Sequence, residues 1–122
     1  MKEVKFTSFE AACAHLKIGT ELPDVSMLPT EEQKGVIAQY KLQILVKANN
    51  DGWKANYAER SQYKYFPWFE YVPGSGWVLD GYVGGYACTY VGARLALKTS
   101  ALAMEMGGTF IDLYRDLLGE GE

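Results

Sequence analysis

The spacing of hydrophobic positions along this chain changes twice, and each change predicts a different kind of element. Near the N-terminus Phe9, Ala12, Cys13 and Leu16 recur at the spacing of a helix that buries one stripe. Thr7 and Glu10 stand ahead of it as a capping box, Gly19 marks its stop, and Val4-Lys5-Phe6 reads as a short strand leading in. Pro23 and Pro29 make residues 20–29 a connector. A second capping box, Thr30-Glu31-Glu32-Gln33, opens a longer helix. Val36, Ile37, Tyr40, Ile44, Leu45 and Ala48 form one stripe on it, with Leu42 and Val46 on the opposite side. A helix apolar on two sides is covered on both, by the sheet and by another helix or a partner. Asn49-Asn50-Asp51-Gly52 ends it. Trp53 to Gln62 reads as an ordered loop, since Trp53 and Tyr57 are costly to leave in water.

From residue 63 the spacing shortens to that of a strand. Residues 63–72 form the first, interrupted by Pro67, which requires a sheet edge or a bulge. Pro67-Trp68-Phe69 reads as core, with Trp77 as its neighbour across the hairpin. Pro73-Gly74-Ser75-Gly76 predicts a turn and Trp77-Val78-Leu79 the return strand. Asp80-Gly81 and Gly84-Gly85 mark further turns or bulges, and a strand over about Tyr86 to Lys98 follows. Across 81–98 the alternation is regular. Small and aliphatic residues occupy one parity, and Tyr82, Tyr86, Tyr90, Arg94 and Lys98 stand on the other. Helical spacing returns after Thr99 or Ser100, with Leu102, Ala103, Met106, Phe110, Leu113, Tyr114 and Leu117 inward. Gly107-Gly108 falls inside that helix, which implies close backbone packing onto the sheet. The expected architecture is a single α+β domain over 1–122. A small antiparallel sheet, residues about 63–98, packs with an N-terminal, a long central and a C-terminal helix.

Composition narrows the function classes. A chain of 122 residues, 48% hydrophobic and 22% charged, is an ordinary folded domain. Its apolar runs are far short of the roughly 20 residues a membrane helix needs. Met1 to Phe6 lacks the apolar stretch of a signal peptide, so the expectation is a cytoplasmic protein with no membrane partner. A net charge of −3 and a pI near 5.2 weigh against broad nucleic-acid binding. Cys13 and Cys88 have no CxxC spacing and read as buried free thiols.

Residues for catalysis are scarce. His15 is the single histidine, and Cys13 projects to another side of the same helix, so neither a triad nor a dyad assembles locally. No zinc, calcium or phosphate-loop spacing is present, and an imagined carboxylate pair, Glu70 with Asp80, is of the sort any acidic chain offers. The expectation is a non-enzyme with no catalytic residue, metal or cofactor. The candidate binding site is Tyr82, Tyr86, Tyr90, Arg94 and Lys98, a row suited to stacking rings and pairing an anion. Cross-strand tyrosine pairing on a half-exposed sheet is the competing structural reading.

Several pieces of the chain resemble small proteins from phages and mobile elements of gut bacteria. They are Leu22-Pro23-Asp24-Val25, Ala38-Gln39-Tyr40-Lys41-Leu42, Gly52-Trp53, Tyr63-Lys64-Tyr65-Phe66-Pro67-Trp68-Phe69, Val91-Gly92-Ala93-Arg94-Leu95 and the closing helix Phe110 to Leu118. Members often carry serine where Ala93 stands and a longer polar stretch near 78–90. The resemblance implies a phage-type accessory protein acting in the host cell or in the particle, and it brings no activity or catalytic residues.

The first functional expectation is therefore a non-enzymatic accessory protein binding a macromolecule or a small aromatic or anionic ligand through the tyrosine-rich face. A second is a structural or assembly protein that forms homo-oligomers through helix 31–49. In a third, residues 78–94 are a diversified recognition segment. That Gly/Tyr-rich stretch resembles the variable lectin-like proteins altered by retroelements, although here a helix follows it.

Overall fold

The computed structural model describes residues 2–121. Among them the elements are α1 (Phe9–Leu16), α2 (Thr30–Asn50), β1 (Lys64–Val72), β2 (Gly76–Gly85), a 3₁₀ turn (Ala93–Leu95), α3 (Ser100–Thr109) and α4 (Ile111–Leu118). Helices at both ends and a two-stranded antiparallel sheet between them make a small α+β domain. No helix is long and apolar enough to cross a membrane.

The cap of α1 is Ser8, one residue after the expected Thr7; its hydroxyl accepts from Ala11 N at 3.1 Å. Lys17 closes the helix in the left-handed region (φ 59°), two residues before Gly19. No strand forms at Val4 to Phe6. Instead the Glu105 carboxylate accepts from Glu3 N and Val4 N at 2.6 and 3.1 Å. The Asn49 Oδ1 accepts from Lys5 N and Phe6 N at 2.9 and 3.0 Å, while its Nδ2 donates to Phe6 O and Leu45 O. Side chains of two helices thus take the place of a neighbouring strand for this segment. The backbone hydrogen bonds hold the Glu105 carboxyl below its ordinary range.

Thr30 lies inside α2 rather than capping it. Pro29 is the cap residue, without a side-chain bond, and Gln33 donates to Leu28 O instead. The buried face of α2 centres on Ala38, Leu42, Leu45, Val46 and Asn49; Ile37, Tyr40 and Ile44 are half-buried and Val36 is exposed. Both sides are covered, but by α1 and α4 rather than by the sheet. Phe9 of α1 meets Tyr40 edge-on with ring centroids 6.0 Å apart. Leu42, Leu45, Leu97, Leu102 and Met106 fill the centre of the core.

β1 and β2 pair from Lys64↔Gly85 to Pro67↔Tyr82, then from Phe69↔Leu79 to Val72↔Gly76. Between these runs Asp80 and Gly81 stand against Trp68 alone, and Gly81 adopts φ +98°. The break expected at Pro67 is thus resolved as a bulge on the partner strand. The register also sets Trp77 opposite Tyr71, not opposite Pro67-Trp68-Phe69, and Trp68 remains 43% exposed.

The expected strand from Tyr86 to Lys98 does not form. β1 begins at Lys64, so beyond Gly85 the chain has no partner backbone, and period two by itself cannot supply one. Of that stretch only Leu97 pairs, exchanging two backbone bonds with Tyr65 at 3.0 and 2.8 Å. Asn50 secures the return, donating to Ala96 O and accepting from Lys98 N at 2.9 and 3.1 Å.

Of the two expected caps, Thr99 rather than Ser100 caps α3, its hydroxyl accepting from Leu102 N. The single C-terminal helix is two, broken at Phe110 (φ −111°, ψ 31°) so that α4 turns toward α2. Gly107 lies against the sheet: a Cβ there would stand 2.6 Å from Leu79 Cδ1 and 2.9 Å from Pro67 Cβ. Gly108 faces open space. Two adjacent substitutions therefore have opposite expected signs. Gly108→Ala gains helix propensity and stabilises by about 0.5–1 kcal/mol. Gly107→Ala overpacks against a rigid proline ring and destabilises by about 1–2 kcal/mol. Urea unfolding of both variants checks the pair, and equal shifts would refute the close approach.

Candidate functional site

Directly opposed residues of an antiparallel pair share a face, and faces alternate along each strand. Tyr63, Tyr65 and Pro67 therefore share a face with Gly84 and Tyr82, while Phe66 and Trp68 share the other with Val83. Gly84 makes the first face a ring cluster. A Cβ there would fall within 2.3 Å of the Tyr63 ring and 2.8 Å of Lys64 O, so only hydrogen leaves room. Tyr63 lies 4.8 Å from both Tyr65 and Tyr86, and Tyr65 lies 5.8 Å from Tyr82, mostly edge to face. Tyr82 and Tyr86 remain 51% and 52% exposed within that cluster.

The five residues expected as one row are divided by the loss of the strand. Tyr82 and Tyr86 stay together on the face with Tyr63 and Tyr65. Tyr90 comes round to the other face, its ring 5.6 Å from Trp68. Arg94 is exposed in the 3₁₀ turn, and Lys98 is half-buried just before α3. Among the described residues neither cation makes a ring contact or ion pair with the tyrosines.

Lys64 organises the end of the hairpin, and its burial is complete. Its ammonium donates to Tyr86 O at 2.6 Å, Gln62 O at 2.9 Å and Glu59 O at 3.4 Å, and lies 4.8 Å from the centre of the Tyr57 ring. One charge thus ties the 53–62 loop, the start of β1 and the exit of β2 together. Burial pushes the Tyr57 phenol up, and its hydroxyl reaches Ala93 O at 3.4 Å. Trp53 and Tyr57 are half-buried, as an ordered loop requires.

Cys13 is buried and its thiol is pushed up by burial, but Cys88 is exposed in the segment after β2, contrary to expectation. His15 stacks on Phe6 at 4.2 Å and meets Asp51 at 3.2 Å on the surface. Glu70 stands opposite Val78 while Asp80 sits in the bulge, so the imagined carboxylates are not cross-strand partners. Among the described residues no group of three His, Cys, Asp or Glu side chains could hold a metal ion. Tyr63, Lys64 and Gly84 also form the site, although none of them is among the five residues expected from the sequence pattern. The signal available was Gly84 between two tyrosines on one strand and Tyr63 with Tyr65 on the other. No protein-family model, curated protein or solved structure matches the chain.

Proposed function

We propose that this is a non-enzymatic binding protein of phage-accessory type that engages a protein partner through Tyr82 and Tyr86. The observation that carries the reading is the four-ring cluster around Gly84, which holds two half-exposed phenols in fixed positions. Tyrosines already packed against one another lose little entropy on binding, and their hydroxyls suit a polar rim. A nucleic-acid partner fits less well. Stacked bases bring phosphates, whereas Arg94 and Lys98 lie apart from these rings and the chain carries a net charge of −3.

The test compares parent and Tyr82→Ser/Tyr86→Ser protein as baits in host lysate, with captured proteins identified by mass spectrometry. A partner retained by the parent should be lost from the double variant by at least tenfold, with little change in thermal midpoint. Equal capture by both proteins would remove this face from consideration.

A further inference from the structure

An elongated cavity of about 580 Å³ runs along the hairpin between β1, the segment after β2 and α4. That volume falls within the range of small-molecule sites. Phe66, Trp68, Phe69 and Tyr90 supply aromatic wall, and Leu95 and Leu117 supply aliphatic wall. None of the four tyrosines of the ring cluster lines it, so the two sites are separate.

The wall favours one sign of charge. Aromatic rings present negative faces, which attract cations. Among the described residues no lysine, arginine or histidine lines the cavity, so no side chain there offers an anion a counter-charge. Two of its side-chain donors are already engaged: Trp77 Nε1 donates to Gly119 O at 2.8 Å, and the Thr89 side chain hydrogen-bonds Tyr57.

Trp68 and Tyr90 form the open part of the wall, 43% and 77% exposed. Their ring centroids are 5.6 Å apart and their planes are tilted by 42°. A single ammonium can therefore stand within about 6 Å of both centroids, the reach of a cation–π contact. The exposed charges beside them are negative. Asp80 stands across the ladder from Trp68, and Glu70 follows Trp68 by two residues on β1, so both carboxylates belong to the Trp68 face. Both are exposed, and among the described residues neither forms an ion pair. Lys64, the cation of that face, is fully buried on backbone carbonyls.

We propose that this cavity binds a free quaternary ammonium compound with an apolar body. The ammonium stands over Trp68 and Tyr90 beside Asp80, and the body lies against Phe66, Leu95 and Leu117. Ring faces without a neighbouring cation select against an anion. The two carboxylates select a cation over a neutral molecule of the same shape, and the length of the cavity selects a molecule with a body over the ammonium head alone.

The probe is para-hydroxyphenyltrimethylammonium, titrated into the full-length protein at mildly acidic pH, where its phenol is neutral. Its uncharged isostere is para-tert-butylphenol, and para-hydroxybenzenesulfonate is the anionic counterpart. The cation should bind saturably at one site, about tenfold tighter than the isostere, with no binding of the sulfonate. Trp68→Leu keeps an apolar wall and removes the ring; it should cancel the preference for the cation over the isostere. Tyr90→Leu should reduce that preference in the same direction, and both side chains lie outside the core, so thermal midpoints should change little. Asp80→Asn should weaken the cation two- to threefold, flatten its salt dependence and leave the isostere unchanged.

Location has its own readout. The indole N–H resonance of Trp68, assigned by its loss in Trp68→Leu, should shift on titration with the cation. Phosphatidylcholine vesicles, which carry the same head on a lipid, should not sediment the protein. Absence of saturable binding, equal affinity for cation and isostere, an unmoved Trp68 resonance, or sedimentation with vesicles would each overturn the proposal. None of these outcomes bears on partner capture through Tyr82 and Tyr86, which uses other residues.

Discussion

Replacing Lys64 by methionine is expected to cost about 3 kcal/mol of folding stability and to lower the thermal midpoint by roughly 10 °C. Lys64 is fully buried, with its ammonium shared among the carbonyls of Glu59, Gln62 and Tyr86. Methionine fills most of the stem's volume and removes a buried charge, which taken alone is favourable. The Gln62 and Tyr86 oxygens then lose this donor, whereas Glu59 O still accepts from Gln62 N at 3.2 Å. That loss is the larger effect because the acceptors are not replaced along with the charge. Arginine should not rescue the site, since its planar fork is longer and cannot meet three carbonyls arranged around one nitrogen. Denaturant unfolding followed by tryptophan fluorescence measures the difference. Hydrogen exchange should show residues 57–63 and 86–90 opening first. A methionine variant within about 0.5 kcal/mol of the parent would show that the ammonium contributes nothing net.

Asn49→Ala should be of similar size, about 2–4 kcal/mol. Asn49 is 1% exposed and uses both ends of its amide: Oδ1 accepts from Lys5 N and Phe6 N, and Nδ2 donates to Phe6 O and Leu45 O. Truncation frees the N-terminal segment from α2 and leaves a hole beside a packed core. The decisive comparison is Asn49→Asp, which keeps the shape and the acceptor but loses the donor and sets a carboxylate against two carbonyls. It should be at least as damaging as alanine at neutral pH. Chemical denaturation ranks the two, and an aspartate variant as stable as the parent would contradict the bonding described. Loss of amide protection confined to residues 3–6 would place the effect.

How much was legible from the chain differs between elements for identifiable reasons. The hairpin was readable because its signals are local: alternation in 63–72, glycines and a proline in the turn, and Trp77-Val78-Leu79 returning. The Thr99 cap and the role of Gly107 were readable too, since each depends on a few neighbouring residues or on a glycine with a cost to justify. The segment 86–98 misled because an alternating pattern is necessary for a half-buried strand but does not provide one with a partner. Its tyrosine spacing was real, yet only Tyr82 and Tyr86 remained on the face that spacing implied. Asn49 and Asn50 looked like a helix stop, and they also clamp two distant segments. Nothing in a sequence marks an amide as facing inward before its partners are known.

Sequence alone thus determined the α+β composition, the three helical regions and the turn that joins the hairpin strands, because propensity, capping and turn chemistry act within a few residues. Tertiary structure decided where the strand pairing stops, which rings meet around Gly84, that Lys64 is buried, and that the Tyr114 hydroxyl is buried without a partner. Those outcomes depend on groups brought together from separate segments, such as Lys64 and Tyr86, 22 residues apart, and only their meeting in space sets which polar atoms are satisfied.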